Sequence, residues 1–148
     1  MPELIVLHSI SLPPGQFGGP HIGQFFCNRL DWNEHSYFKQ IEGMRVSAHV
    51  LVRRNGSLVQ FVSFAKRAWH AGESTFRGRQ RCNDFSVGVE IEGEDDTPYT
   101  DEQYESVSSL VRALCQKYAH LDYRRMAGHC DISPGRKTDP GAAFDWMR

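Results

Sequence analysis

The pair Asn55-Gly56 most constrains what this chain can fold into, because it stands between two β-rich runs in RVSAHVLVRRNGSLVQFVSF. Asn-Gly between such runs is the strongest short-range signal for a β-hairpin, since both residues tolerate the positive φ angles of a tight hairpin turn. We therefore predict an antiparallel hairpin over residues 46 to 62.

Two other segments are predicted to be strands. LIVLH (4 to 8) is a short apolar run that ends in the turn-rich SISLPPGQFGG, which is typical of a buried central strand and places His8 at its end. FSVGVEIEG (85 to 93) alternates apolar residues with a second set that contains Glu90 and Glu92. Because successive strand residues face opposite sides, one face of this strand is core and the other is acidic.

The strongest helix signal lies in the second half of the chain. Thr100 and Gln103 form a capping box, and apolar residues follow at helical spacing, which predicts a helix over 101 to 118. One or two short helices are predicted between 20 and 41, where apolar and aromatic residues recur at helix-like spacing. YRRMAGH is interpreted as a last short strand that leads to His129, and AAFDWM as a closing turn of helix.

Strands before, between and after helices indicate an α/β fold with a central mixed β-sheet flanked by helices. A length of 148 residues fits a single domain over 1 to 148. Lys plus Arg number 17 and Asp plus Glu number 18, a net charge of -1 that argues against a nucleic-acid binder.

The N-terminus MPELIVLHSI lacks a basic leader region, and no apolar run approaches the roughly 18 residues of a membrane span. The four cysteines are far apart and form no C-x-x-C pair, which favours free thiols in a reducing compartment. We therefore expect a cytoplasmic protein without a membrane segment, and no protein partner is indicated.

The stretch GHCDISPGRKTDPG (128 to 141) is too rich in glycine and proline for a regular element. It is not a phosphate loop, because six residues separate its first two glycines and an arginine stands before the lysine. A metal site fits better: His129 and Asp139 lie ten residues apart on one loop that can fold back on an ion. His8 is the natural third ligand, since open-sheet enzymes assemble sites at strand ends.

Most of the seven histidines are expected to be surface or packing residues. His49 and His70 each allow two interpretations, because either can line a pocket or satisfy a buried hydrogen bond. Cys130 is expected to be a packing residue, since on an extended segment it points away from an ion bound by His129. Surface or structural roles are expected for His21, His35 and His120.

Two kinds of charged residue are candidates for the chemistry. Glu90 and Glu92 are either a solvated strand face, or one of them is a general base for a metal-activated water. Lys137 is either a surface cation or the group that stabilises a developing oxyanion beside the metal.

Five motifs together resemble one family, and they are spread over nearly the whole chain in that family's order: LHSISLPPGQFGGP, RVSAHVLVRRNGSLVQFV, RAWHAGES, CNDFSVGVEIEG and GHCDISPGRKTDPG. The resemblance is to the zinc-dependent N-acetylmuramoyl-L-alanine amidases of type 2, whose fold is shared with peptidoglycan-recognition proteins. Asp139, where related phage enzymes carry a cysteine, favours the cytoplasmic branch of cell-wall recycling. Ser9 departs from the asparagine common in relatives.

The resemblance implies a single zinc amidase domain over residues 1 to 148 and a role for each matching residue. Zinc is expected on His8, His129 and Asp139, with Glu90 as the catalytic carboxylate and Lys137 assisting at the transition state. Glu92 and Cys130 lose their candidacy. The positions that match substrate-contacting residues are Arg45, Trp69 and Arg81, with His70 as a further pocket residue.

The resemblance further implies a zinc-dependent hydrolase of muropeptides, in the recycling of peptidoglycan. It would cut the amide between the lactyl group of N-acetylmuramic acid, in the 1,6-anhydro form, and L-alanine. Two alternatives are a peptidoglycan-binding module without catalysis, and a metal hydrolase of another amide. A pure binder needs no metal with an open position, which argues against the first.

Overall fold

The β-rich runs of the sequence form one five-stranded sheet in a computed structural model that describes residues 1–148. The sheet contains β1 (Leu4–Ile10), β2 (Val50–Val52), β3 (Leu58–Gln60), β6 (Ser86–Glu92) and β7 (Met126–Gly128). A separate two-stranded ribbon consists of β4 (Thr75–Phe76) and β5 (Arg79–Gln80). The helices are α1 (His21–Phe26), α2 (Asp101–Lys117) and α3 (His129–Ile132), with 3₁₀ turns at Ser36–Ile41, Cys82–Asp84 and Tyr123–Arg125.

The strand order is β3-β2-β6-β1-β7, and only the β2–β3 hairpin is antiparallel. The predicted mixed sheet flanked by helices is therefore confirmed, and the hairpin turns at Asn55-Gly56 with Gly56 at φ +79°. β1 and β6 are the two central strands, and their register pairs His8 with Glu90. Since paired residues of neighbouring parallel strands face the same side, this register puts both side chains on one face of the sheet.

α2 covers the opposite face of the sheet. Thr100 accepts a hydrogen bond from the backbone N–H of Gln103, and Gln103 in return accepts from Thr100, so the predicted capping box is formed. The buried residues of α2, Val107, Val111 and Leu114, pack on the apolar residues of β6. Burial of one such side chain contributes about 1.5–3 kcal/mol to the stability of the fold. The alternation predicted for β6 is thus confirmed on its core side.

The face that carries His8 and Glu90 is covered by two smaller clusters. One surrounds Phe38 and includes α1, which confirms the short helices predicted between residues 20 and 41. The other joins Leu4 and Val6 of β1 to Ile132 of α3. The space left between these clusters is where the polar residues of the sheet converge.

Two local predictions were wrong, and one element was missed. AAFDWM forms turns instead of helix, and Phe144 packs into the α2 cluster from a nonhelical segment. The loop 128–141 is not wholly irregular, because His129 begins α3 directly after β7. The ribbon β4–β5 had no prediction at all. Short elements of this kind depend on tertiary packing more than on local sequence pattern.

No helix in the structure is both long enough and apolar enough to cross a lipid bilayer.

Candidate metal centre and active site

Three side chains from opposite ends of the chain converge near the C-terminal end of β1, which continues beyond the predicted end at His8 to Ile10. The Nδ1 atoms of His8 and His129 lie 3.0 Å apart, and Asp139 Oδ2 lies 3.2 Å from the first and 3.1 Å from the second. Both histidines are buried and Asp139 is partly buried. The structure thus brings together the three residues that the sequence proposed as ligands.

The second nitrogen of each histidine is held by the protein. His129 Nε2 lies 3.0 Å from the carbonyl oxygen of Ala71, which can only accept, so this nitrogen carries the proton. In this tautomer, Nδ1 of His129 presents its lone pair toward His8 and Asp139. His8 Nε2 lies 2.8 Å from Nδ1 of His70.

The surroundings of His8 and Asp139 shift the pKa of each group downward. Burial lowers the pKa of His8 to about 4, and the charge of His129 adds to this against the opposing effect of Asp139. Burial would raise the pKa of Asp139, but its close contacts with His129 and His8 outweigh this effect and hold that pKa well below its usual range. The cluster therefore offers a neutral imidazole and a carboxylate at neutral pH.

This donor set fits a zinc ion. Ligand atoms bound tetrahedrally at about 2.0–2.1 Å lie about 3.3 Å from one another, close to the separations of 3.0–3.2 Å seen here. Lone pairs that converge at this distance repel each other, and a divalent cation between them removes that repulsion. Two histidines and one carboxylate leave a fourth position open, as catalytic zinc sites require.

The segment between His129 and Asp139 is folded back by hydrogen bonds at both ends. The backbone N–H of Cys130 donates to the carbonyl of Asp139 at 3.0 Å, which closes the ten-residue excursion. The guanidinium of Arg136 donates to the carbonyls of Ala71 and Glu73 at 2.7 and 2.8 Å. Thr138 donates to the carboxylate of Asp95, which also accepts from Ser9 at 3.3 Å. These contacts fix both Asp139 and the neighbouring Lys137.

Glu90 and Lys137 line the same cavity as the ligand cluster, a space of ≈ 580 Å³. Burial raises the pKa of Glu90 well above its usual value, and the nearby Asp139 adds to this while Lys137 opposes it. A buried carboxyl group with a raised pKa beside a metal site holds a proton more readily than an exposed one, which suits the role of a general acid or base.

Glu92 is buried for a different reason. Its carboxylate accepts from the backbone N–H groups of Gly18 and Arg54 at 2.7 and 3.1 Å, and it pairs with the guanidinium of Arg53 at 3.2 Å. The alternative of a solvated strand face is wrong for both glutamates, because Glu90 is 8% and Glu92 1% exposed. Glu92 ties the loop after β1 to the hairpin and takes no part in the ligand cluster.

Three of the four predicted substrate residues line the main cavity or an adjoining one. His70 and Trp69 line it, and Trp69 is 55% exposed with the guanidinium of Arg67 stacked 3.8 Å from its ring centre. Arg45 lies in an adjoining cavity of ≈ 410 Å³ that shares Trp69. Arg81 does not line either cavity, and its guanidinium pairs with Asp84 at 3.1 Å.

The remaining candidates have structural partners. His49 satisfies the second of its two interpretations: Nε2 donates to the carbonyl of Lys66, and Nδ1 accepts from the backbone N–H of Gly88. His21 pairs with Glu34. Cys130 is outside the ligand cluster, although it lies on helix α3 and not on the extended segment we expected.

Three residues around the site were missed from the sequence: Arg136, Asp95 and the buried Ser86, whose Oγ lies 3.1 Å from Nε2 of His70. Arg136 and Asp95 act only through contacts with distant loops, so no local pattern marks them. Ser86 had a usable signal, because it stands four residues before Glu90 on the same face of an alternating strand.

Comparison with known proteins gives concordant results. A family model described as N-acetylmuramoyl-L-alanine amidase matches residues 1–142. The chain is 55% identical over 147 residues to the 1,6-anhydro-N-acetylmuramyl-L-alanine amidase AmpD of Escherichia coli (strain K12), covering 99% of this chain and 80% of that protein.

Two solved structures are similar. The crystal structure of a Se-Met AmpD derivative matches with a TM-score of 0.96 and 54% identity, over 99% of this chain and 81% of that one. A complex of the N-acetylmuramyl-L-alanine amidase AmiD from E. coli with the substrate anhydro-N-acetylmuramic acid-L-Ala-D-gamma-Glu-L-Lys matches with a TM-score of 0.71 and 26% identity. That match covers 99% of this chain and 55% of that one.

Proposed function

Because the chain belongs to the N-acetylmuramoyl-L-alanine amidase family, we propose that it hydrolyses 1,6-anhydro-muropeptides with a zinc ion held by His8, His129 and Asp139. The single observation that carries the metal assignment is the convergence of two Nδ1 atoms and a carboxylate oxygen within 3.2 Å of one another. The bond cut is the amide between the lactyl group of N-acetylmuramic acid and L-alanine.

The anhydro form of the sugar is proposed from the relatives. The E. coli protein that is 55% identical over nearly this whole chain is named a 1,6-anhydro-N-acetylmuramyl-L-alanine amidase. The solved structure of the related AmiD is a complex with an anhydro-N-acetylmuramic acid peptide as its substrate. A cytoplasmic place in peptidoglycan recycling, and a single catalytic domain over residues 1–148, are further parts of the proposal.

Zinc, when bound, supplies Lewis-acid chemistry by polarising a carbonyl and lowering the pKa of water toward about 7. Glu90 takes a proton from the attacking water onto its carboxylate and passes it to the nitrogen of L-alanine as the amide C–N bond breaks. Lys137 Nζ donates a hydrogen bond to the oxygen that becomes negative in the transition state. The products are the free lactyl carboxylate and the peptide with a free amino group.

The walls of the cavity bind the rest of the substrate. Trp69, half exposed at the rim and held flat by Arg67, offers an aromatic face for the sugar or peptide. Arg45 in the adjoining cavity offers a cation for a stem-peptide carboxylate. His70 forms part of the floor. Arg81 remains a predicted contact that requires the side chain to leave Asp84.

A binding module without catalysis would need no catalytic groups in the site. A binder has no use for a buried carboxyl group with a raised pKa beside an open metal position. The position of Glu90 opposite His8 in the central strands therefore favours hydrolysis. A hydrolase of another amide would use the same metal centre, and only the substrate contacts made by the cavity walls would differ.

The test is metal analysis of the purified protein combined with turnover of an anhydro-muropeptide. We expect one zinc ion per chain, loss of turnover after chelation, and recovery when zinc is added back. Turnover that survives complete removal of metal would overturn the mechanism. Metal binding without turnover of any muropeptide would favour the binding module. Turnover of another amide, without turnover of muropeptides, would mean that the proposed substrate is wrong.

A further inference from the structure

A chain of buried hydrogen bonds runs from a backbone carbonyl to the first ligand. Ser86 Oγ lies 2.6 Å from the carbonyl oxygen of Cys82 and 3.1 Å from Nε2 of His70. His70 Nδ1 in turn lies 2.8 Å from Nε2 of His8. All three side chains are at most 9% exposed. We refer to Ser86 and His70 as the relay.

The carbonyl oxygen of Cys82 sets which atom donates and which accepts in each of these hydrogen bonds. A carbonyl oxygen carries no hydrogen, so the hydroxyl of Ser86 must donate to Cys82 and its oxygen must accept from His70 Nε2. A neutral His70 with its proton on Nε2 has a bare Nδ1. That nitrogen accepts from Nε2 of His8, which leaves the lone pair of His8 Nδ1 facing His129 and Asp139.

The fold makes specific room for this arrangement. A Cβ at Gly88, the residue between Ser86 and Glu90 on the same strand face, would lie 2.3 Å from Cγ of His70. The backbone N–H groups of His70 and Ala71 both donate to the side-chain oxygen of the buried Asn83, at 3.0 and 2.8 Å. The backbone hydrogen bonds to Asn83 therefore hold His70 in place, and the absence of a side chain at Gly88 leaves room for its ring.

No neighbouring group competes for His70. His49 packs against it with ring centres 5.9 Å apart, but both nitrogens of His49 are occupied by backbone partners. His8 Nε2 and Ser86 Oγ are thus the partners that remain for the two nitrogens of His70.

We infer that His70 and Ser86 are positioning residues that hold His8 in the tautomer whose Nδ1 can bind the metal. The inference rests on the proposed function, because it assumes a metal on His8. Partners of this kind orient a ligand ring and fix its protonated nitrogen, and their loss typically lowers metal affinity about 10- to 100-fold. Here the partner is a second histidine rather than a carboxylate, so its own tautomer must be set by Ser86.

The experiment measures the zinc dissociation constant by competition with a chromophoric chelator, and the imidazole tautomer of His8 by ¹⁵N NMR of the metal-free protein. The variants are Ser86→Ala, His70→Leu and His70→Gln. Ser106→Ala is the matched control, because Ser106 also donates to a carbonyl at 2.6 Å but lies on α2, away from the cavity. Thermal unfolding verifies that each variant is folded.

We expect zinc affinity to fall about 10- to 100-fold in Ser86→Ala and His70→Leu, and to stay near wild type in Ser106→Ala. His70→Gln should restore most of the affinity, since the amide can accept from His8 and donate to Ser86. In the wild-type protein, His8 should carry its proton on Nε2.

Wild-type affinity in Ser86→Ala, or a proton on Nδ1 of His8 in the wild-type protein, would overturn the inference even if His70→Leu does not fold. Absence of zinc binding by the wild-type protein would instead overturn the proposed metal centre, so the two failures are distinguishable.

Discussion

The Nδ1 atoms of His8 and His129 lie 3.0 Å apart although 121 positions separate the two residues in the chain. The contact exists because β1 lies between β6 and β7 in the sheet, so the end of β1 meets the segment that follows β7. Asp139 joins them when the loop after α3 folds back. Metal binding at this point would therefore tie the N-terminal strand to the C-terminal loop.

Removal of the carboxylate charge at Glu90 should lower activity and stabilise the metal-free protein. Glu90→Gln is expected to reduce kcat about 100- to 10,000-fold, as for loss of a general base. Because burial raises the pKa of Glu90, the folded wild-type protein resists ionisation of this group, and the contribution of Glu90 to stability falls as pH rises above the ordinary carboxyl pKa. Urea unfolding of both metal-free proteins should show the variant more stable at pH 7 and equal at pH 4. Equal stability at both values would contradict the burial effect.

Loss of the Lys137 ammonium should affect the chemical step. Lys137→Ala is expected to lower kcat about 100- to 1000-fold with little change in zinc content, because one oxyanion donor is removed while the ligands remain. Steady-state kinetics and metal analysis measure the two effects. Lys117→Ala, at the end of α2, serves as the surface-lysine control. Full turnover in Lys137→Ala would remove the proposed role.

The buried histidines His8 and His70 should lower the stability of the metal-free protein in mild acid, where Glu90 acts in the opposite direction. Burial lowers the pKa of His8 from 6.5 to about 4, so its stabilising effect is complete above pH 6.5 and is lost as pH falls toward 4. The loss from His8 is about 3 kcal/mol at roughly 1.4 kcal/mol per pH unit, and burial of His70 acts in the same direction. Chemical denaturation at pH 7, 5.5 and 4 measures it. His8→Asn should show a shallower dependence on pH; an identical dependence would exclude His8 as its source.

A methyl group at Gly88 should displace His70. Gly88→Ala places a Cβ 2.3 Å from Cγ of His70, and overpacking of this kind costs about 1–3 kcal/mol of unfolding free energy. Zinc affinity should fall with it, because His70 can no longer accept from His8. Gly23→Ala is the control, since its Cβ would meet only an ordinary contact at 3.9 Å. Wild-type stability and affinity in Gly88→Ala would contradict the packing described above.

Truncation of Trp69 should weaken substrate binding without slowing the chemical step. Trp69→Ala is expected to raise KM about tenfold, corresponding to roughly 1.4 kcal/mol, while kcat stays near wild type. Trp146→Ala removes an equally large, partly exposed ring outside the main cavity and serves as the control. A fall in kcat with unchanged KM would place Trp69 at the reacting bond instead of the rim.

Local sequence alone determined those elements whose sequence signals lie within a few neighbouring residues. The Asn55-Gly56 turn, the Thr100–Gln103 capping box and the alternation of β6 each depend on neighbours a few residues away, and each is present in the structure. The same pattern put Glu90 on the face of β6 opposite the core. The ligand candidates followed from residue chemistry and from their positions at the end of a strand and in a loop.

Only the tertiary structure decided which polar residues belong together. Glu90 and Glu92 are equivalent by alternation, yet strand order pairs Glu90 with His8 while Glu92 meets Arg53 and the loop after β1. His49 and His70 are equally plausible pocket residues in the sequence, yet one bonds only backbone and the other holds His8. Periodicity fixes the face on which a side chain lies, whereas its partners depend on strand order and loop closure between residues far apart in the chain.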